Sequence, residues 1–262
     1  MTQSNIFALP GKTALVTGAG GAIGLAICQG FADWGADVAC LDISEEIATA
    51  AAQTVRMGDN RQALAVTCDV RDPSQIESAV STVLAKFGHI DILVNLAGHG
   101  ILKPAVEFTL DDWEETIHVY LRSTFLFCKL VGKGMVEQGS GSIINISSVA
   151  SIVALGRGTG PYAAAKAGIN GLTRELAVEW AKKGVRVNAI APCQIDTPQL
   201  RKILVDPQFD PDKLMNTWLE AIPMGRIGQP HEIAGPCIFL ASDAASLITG
   251  HVLLVDGGYT IK

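Results

Sequence analysis

Short apolar runs alternate with longer amphipathic stretches along this chain. The runs at residues 13–16, 37–41, 63–67, 90–95, 142–147, 185–190 and 252–255 are four to six residues long and rich in Val, Ile, Leu and Ala. Runs of that length suit strands buried on both faces of a sheet. Apolar residues between them recur at helical spacing, most extensively over 110–138 and 162–183. Strand–helix alternation without a linker or internal repeat predicts parallel strands joined by right-handed crossovers. The expected fold is therefore α/β: a single-domain, doubly wound parallel sheet of about seven strands with helices on both faces. One segment, 194–224, breaks the rhythm, with Pro198, Pro207, Pro211 and Pro223 around a short helical stretch. It inserts between the sixth strand and the next helix, where it is expected to fold over the ligand end of the sheet as a lid.

Composition narrows the function classes. The chain has 262 residues, of which 48% are hydrophobic, and a formal net charge of −6. A size of that order suits one domain with a covered sheet. The negative balance, with no basic run, argues against a nucleic-acid partner. No apolar stretch approaches the ~20 residues of a membrane span. The opening MTQSNIFALPGK lacks the pattern of a secretory signal, so a cytoplasmic location is expected. The six cysteines are scattered without a CxxC pair, and the five histidines show no metal-ligand spacing. Structural thiols, Cys193 aside, and no catalytic metal are expected.

Two local patterns carry chemistry. The first, TALVTGAGGAIGLAICQGFADWGADVACLD, reads strand, Gly-rich turn, helix, strand. Gly18, Gly20, Gly21 and Gly24 let backbone approach a pyrophosphate, and the following helix start offers free N–H groups and a positive dipole end. Asp42 ends the second strand 18 residues after Gly24, where a carboxylate can take ribose hydroxyls. It would repel a 2′-phosphate; no Arg or Lys follows in LDISEE, and Glu45 and Glu46 add negative charge, so NAD is expected over NADP. This strand–turn–helix with its acid predicts a Rossmann-type arrangement. The second pattern is PYAAAKAG. Tyr162 and Lys166 stand four residues apart, on one helix face. A fixed ammonium favours the phenolate of a nearby Tyr. Ser147 and Ser148, upstream in INISSVAS, offer a hydroxyl to hold a substrate oxygen.

Together these residues resemble the short-chain dehydrogenase/reductase family, in its NAD-linked form of about 250 residues, over nearly the whole chain. TGAGGAIG is similar to the family's TGxxxGxG, with Ala22 at its middle glycine. CDV at Cys68–Val70 resembles the segment whose Asp lies near the adenine, which implies that role for Asp69. NLAG, Asn95 to Gly98, resembles NNAG, and NAIAPCQIDTP resembles NxxxPGxxxT, with Cys193 replacing the glycine. Ser148, Tyr162 and Lys166 match the Ser–Tyr–Lys constellation, the family's serine being the second of such a pair. The resemblance implies a cofactor site made of Gly18, Gly20, Gly21, Ala22, Ile23, Gly24, Asp42, Ile43, Asp69, Val70, Asn95, Ala97, Gly98, Tyr162, Lys166, Pro192, Ile195 and Thr197. It also implies a hydrogen bond from Lys166 to the nicotinamide ribose and a lid that selects substrate.

The implied reaction is NAD-dependent interconversion of a secondary alcohol and a ketone. Tyr162 acts as general base, Lys166 supports its phenolate, and Ser148 binds the substrate oxygen. His99, directly after NLAG, and Arg157, in the loop before Tyr162, are expected at the pocket mouth with Ser148 and Tyr162. They favour a polyol, sugar or sugar acid. A 3-oxoacyl-carrier-protein reductase is the alternative enzyme, and a nucleotide-binding or scaffold protein with impaired catalysis is the alternative of another class. The clearest departure from the family is Tyr120, in VYLRSTF, where an asparagine usually holds a water of the proton relay. A Tyr cannot copy both functions of an amide. Apolar residues Leu121, Phe125, Leu126 and Leu130 on one long helix, and Ile169, Leu172, Leu176 and Trp180 on the other, are expected at a subunit interface. The resemblance implies a homotetramer.

Overall fold

The computed structural model of the chain describes residues 5–56, 62–156, 158–205 and 210–262. Arg157 lies outside the described residues. The strands are β1 (Thr13–Thr17), β2 (Asp37–Asp42), β3 (Ala63–Thr67), β4 (Ile92–Asn95), β5 (Gly141–Ile146), β6 (Val185–Pro192) and β7 (Val252–Val255). They form one sheet in the order β3-β2-β1-β4-β5-β6-β7. Every pairing is parallel, as the apolar runs predict. The order reverses between β1 and β4, so the crevice for a ligand opens there, beyond the strands' carboxyl ends.

The helices are α1 (Ala22–Asp33), α2 (Glu45–Arg56), α3 (Pro73–Phe87), α4 (Leu110–Ile117), α5 (Ser123–Gln138), α6 (Gly160–Trp180), α7 (Pro198–Leu204), α8 (Pro211–Ala221) and α9 (His231–Ala241). Alternation along each strand assigns them to faces. Ala14 and Val16, Val38 and Cys40, Ile92 and Val94, and Ile144 and Ile146 pack with Phe31 of α1, Val55 of α2 and Ile233 of α9. Their neighbours Leu15, Ala39, Leu41, Leu93 and Ile143 pack on the other face with Val80 of α3, Phe127 of α5 and Trp180 of α6. Phe31, Phe127, Leu15 and Ile143 are fully enclosed. Each such side chain contributes roughly 1.5–3 kcal/mol.

Three features differ from the pattern's expectation. The stretch 110–138 is not one α-helix. It begins with a capping box, Thr109 and Asp112 bonding each other's backbone N–H. A π-helical turn, His118–Arg122, then separates α4 from α5. Helix α6 starts at Gly160, two residues earlier than predicted, because Pro161 fits a first turn that needs no N–H donor. Third, the apolar face expected at an interface on α6 is mostly internal. Ile169, Leu176 and Trp180 are buried, and a Cβ added at Gly132 of α5 would meet Trp180 at 2.6 Å. Phe125 and Val178 remain exposed. In the segment 194–224, α7 and α8 form, and Trp218 and Ile222 are buried, so the end of α8 is anchored to the body.

Candidate active site

The Gly-rich turn runs from the carboxyl end of β1 into α1. A Cβ at Gly24 would lie 2.1 Å from the Gly18 carbonyl oxygen and 2.8 Å from Ala19 Cα. Only glycine lets the first turn of α1 close on the loop. No side chain caps α1 and no acid occupies its first turn, so its leading N–H groups are left to an anion. Asp42 Oδ2 accepts the Gly20 N–H at 3.0 Å, and Oδ1 accepts that of Ile43 at 2.8 Å. The carboxylate thus stands against the Gly-rich turn, beside the start of α1. Thr17 completes the corner, a residue the sequence reading missed. Its hydroxyl donates to the Val94 carbonyl at 3.3 Å and accepts the N–H groups of Leu96 at 3.0 Å and Ala97 at 3.1 Å. It ties the loop after β4, with Ala97, Gly98 and His99, to the end of β1.

Other expected cofactor residues have partners of their own. Both oxygens of Asp69 are bonded by Arg71, from Nε to Oδ1 at 2.9 Å and Nη2 to Oδ2 at 2.7 Å. That guanidinium holds the Asp69 carboxyl below the usual range and reaches Glu115 on α4 at 3.0 Å. Asn95 donates to Asn145 Oδ1 at 2.9 Å, and Asn145 in turn donates to Thr173 of α6 at 2.9 Å. The Asn95 side-chain nitrogen therefore joins a buried amide network, while its Oδ1 is unpartnered among the described residues. Val70 is buried, Pro192 ends β6, Ile195 bridges to Gly228, and Thr197 caps α7 by accepting the Leu200 N–H at 3.1 Å. Burial pushes the Cys193 thiol up to about 11, so it stays protonated.

The second constellation gathers at the end of β5. Ser147 and Ser148 separate cleanly. Ser147 turns inward, donating to Ser151 Oγ at 3.1 Å and lying 3.4 Å from the Lys166 carbonyl. Ser148 accepts the Ala150 N–H at 3.2 Å, which leaves its own O–H to donate. Tyr162 lies in the first turn of α6, and Lys166 one turn on, 4% exposed. Lys166 Nζ donates to the Ile146 carbonyl of β5 at 2.5 Å. It lies 5.6 Å from the centroid of the Tyr162 ring. Burial pulls its pKa from 10.5 down to about 7. Tyr120 completes the group. Its ring centroid is 4.5 Å from Lys166 Nζ and 5.2 Å from that of Tyr162, at an interplanar angle of 79°. Its hydroxyl donates to the His99 carbonyl at 2.6 Å. Burial, and next the neighbouring Tyr162, push the Tyr120 phenol up, so it stays neutral.

His99 is exposed and stands 3.6 Å from Glu115. Gln194, just past β6, is 5% exposed, and its buried amide oxygen is unpartnered among the described residues. It is a second polar residue that the sequence reading passed over. Among the described residues no three His, Cys, Asp or Glu side chains gather to hold a metal ion, and no helix is long and apolar enough to cross a membrane. Chemically, the site offers an anion cradle and a carboxylate on one side of the crevice. On the other it offers a donor hydroxyl, a phenol and a buried amine.

Comparison with known proteins follows the same lines. The family model described as enoyl-(acyl carrier protein) reductase matches residues 18–260. A D-threitol dehydrogenase of Mycolicibacterium smegmatis is 45% identical over 256 residues, covering 98% of this chain and 95% of that protein. An NAD-dependent glycerol dehydrogenase of Listeria innocua serovar 6a is 39% identical over 256 residues, covering 98% and 96%. A solved gluconate 5-dehydrogenase of Burkholderia cenocepacia, in complex with NADP and tartrate, matches with a TM-score of 0.91 at 36% identity, covering 98% of each chain.

Proposed function

This chain belongs to the short-chain dehydrogenase/reductase family, and on that premise we propose that it oxidises a secondary alcohol of a polyol or sugar acid to the ketone, reversibly, with NAD. The observation that carries the reading is the buried Lys166 amine one helical turn from Tyr162, at the carboxyl end of the sheet that also carries the Gly24 turn. A bound nicotinamide dinucleotide supplies the hydride acceptor in oxidation and the donor in reduction. The residues fit that group. The amides at the start of α1, Ala22 to Gly24, would hold its phosphates, Asp42 its adenine-side ribose, and Lys166 the nicotinamide-side ribose.

Ser148 donates its free O–H to the substrate oxygen and orients it. Tyr162 takes the hydroxyl proton as the carbonyl forms, and returns it in the reverse direction. The Lys166 ammonium, in a dry setting where charges act strongly, stabilises the Tyr162 phenolate that must be present before the proton is taken.

NAD is the cofactor this reading favours, because the Asp42 carboxylate would meet a 2′-phosphate with like charge. A hydroxyl-rich substrate suits the exposed His99, and the two relatives are named for polyols. The segment 194–224 serves as the lid, and the exposed Phe125 and Val178 belong to a homotetramer interface. The test is initial-rate turnover of purified protein with NAD and with NADP, against tetritols, glycerol, hexitols, sugar acids and acyl thioesters. NAD-linked oxidation of a polyol or sugar acid is expected. Turnover confined to acyl thioesters with NADPH would replace this reading by the carrier-bound reductase.

A further inference from the structure

Among the described residues no carboxylate pairs with the enclosed Lys166, and burial alone accounts for its lowered pKa. On the elements packed against α6, Asp111, Glu114, Lys129, Lys133 and Glu137 are exposed, and the less exposed charged groups are engaged elsewhere. Asp112 pairs with Lys103, Glu115 with Arg71, Arg122 with the Arg71 carbonyl, and Arg186 with the Leu240 carbonyl. His118 shares the turn of Tyr120 and is half-buried. What faces the ammonium is the Ile146 carbonyl and two aromatic rings, of which that of Tyr120 is the nearer, at 4.5 Å. A cation within about 6 Å of a ring centroid is attracted by the ring's quadrupole, most strongly where water is excluded.

Tyr120 is itself held in place. It lies on the π-helical turn, a rare distortion found mostly at functional positions. Its hydroxyl is tied to the His99 carbonyl. Its ring fills the space over Gly98, where a Cβ would come within 2.0 Å of Cε1. The ring thus depends on a glycine in the loop after β4.

Resting on the oxidoreductase reading, we propose that Tyr120 is a positioning residue for Lys166: its ring is the surface that holds the ammonium in the absence of a carboxylate, and its hydroxyl fixes that surface to the loop after β4. The aromatic face replaces a polar partner for the lysine. Removing the ring, and not the hydroxyl, is what weakens the charged form of Lys166.

The test compares Tyr120→Phe, which keeps the ring, with Tyr120→Leu, which removes it. In each background the unfolding free energy is measured against pH, with and without Lys166→Met. The difference reports the pH at which Lys166 changes charge in the folded protein. That midpoint should stay in place for Tyr120→Phe. For Tyr120→Leu it should move to lower pH by about 0.4–1.5 units, the contribution of one aromatic face. The high-pH limb of kcat/KM should move the same way. A merely structural role lowers activity at every pH alike and leaves the midpoint unmoved. An unmoved midpoint in Tyr120→Leu, or an equal movement in Tyr120→Phe, overturns the proposal. Should Tyr120→Leu fail to fold, Tyr120→Met carries the same expectation. The stability readout needs no turnover, so an inactive wild-type protein with the midpoint shift intact would sink the oxidoreductase reading alone.

Discussion

Replacing Gly24 by Ala tests the phosphate cradle, with a control in the same turn. The added Cβ would stand 2.1 Å from the Gly18 carbonyl oxygen, 2.8 Å from Ala19 Cα and 2.9 Å from the Gly18 carbonyl carbon, all inside the 3.0 Å that real Cβ atoms keep. All three obstacles are backbone, so no side chain can swing away. The loop and the first turn of α1 must separate by about 0.9 Å (3.0 − 2.1) to admit the methyl. Such overpacking costs about 1–3 kcal/mol of stability. At roughly 2–4 °C per kcal/mol for a chain of this size, Tm should fall by about 2–12 °C. The same displacement carries the amides of the cradle out of register with a phosphate. Loss of one or two charge-assisted hydrogen bonds, about 1.5–3 kcal/mol each, should weaken cofactor binding by roughly 10-fold or more. Gly21→Ala is the control: its Cβ would touch only the Gly18 oxygen, at an ordinary 3.5 Å. It should leave Tm within about 2 °C. Differential scanning calorimetry and a fluorescence titration with NADH read both quantities. Equal Tm shifts in the two variants would refute the reasoning, because the argument depends wholly on where the methyl goes.

Three further outcomes follow from the same geometry. Lys166 has a folded-state pKa of about 7, below its unfolded value, so the unfolded chain binds more protons between about 7 and 10.5. Wild-type stability relative to Lys166→Met should therefore rise with pH across that window, by up to about 1.4 kcal/mol per unit, and level off above it; a flat difference in denaturant unfolding contradicts this. Asp42→Ala should narrow the preference for NAD over NADP in kcat/KM; a wild-type preference for NADP would show that the carboxylate does not meet the ribose. Thr17→Val keeps the shape but strands two amides, those of Leu96 and Ala97. It should cost about 1–3 kcal/mol in chemical denaturation, and a loss below 0.5 kcal/mol would mean that those amides find other partners.

Much of the fold was legible because its signals are local. Seven apolar runs became seven parallel strands, with ends shifted by a residue or two, as strand ends commonly are. Gly24 and Asp42 were legible because a tight strand–turn–helix with an acid at its distance has few other uses. What could not be read depends on neighbours distant in the chain. The π-helical turn exists where the ring of Tyr120 meets Gly98 and Lys166, 22 and 46 positions away (120 − 98; 166 − 120). Thr17 looked like any strand-ending Thr until its hydroxyl was seen to bridge to the loop after β4. Asn95 carried a cofactor motif, yet its amide serves Asn145 across the register of β4 and β5. Asp69 was legible as an acid in the right segment, but its partner Arg71 became visible only in three dimensions. The apolar stripe on α6 fits a core and an interface equally well in sequence, and the fold uses most of it for the core. Ser147 and Ser148 were distinguished by resemblance, and the structure supplies a physical difference: one hydroxyl is spent internally, the other is left to donate.

The central claim is that Tyr162 moves the proton. Tyr162→Phe deletes one oxygen and leaves the ring that Tyr120 and Lys166 pack against. The decisive measurement is kcat for this variant with NAD and the best polyol or sugar-acid substrate, beside its NADH affinity. A fall of at least about 100-fold, or about 2.7 kcal/mol of barrier, with affinity kept within a few-fold is the expected result. Turnover within a few-fold of wild type would contradict the account and send the search for the proton carrier elsewhere in the crevice.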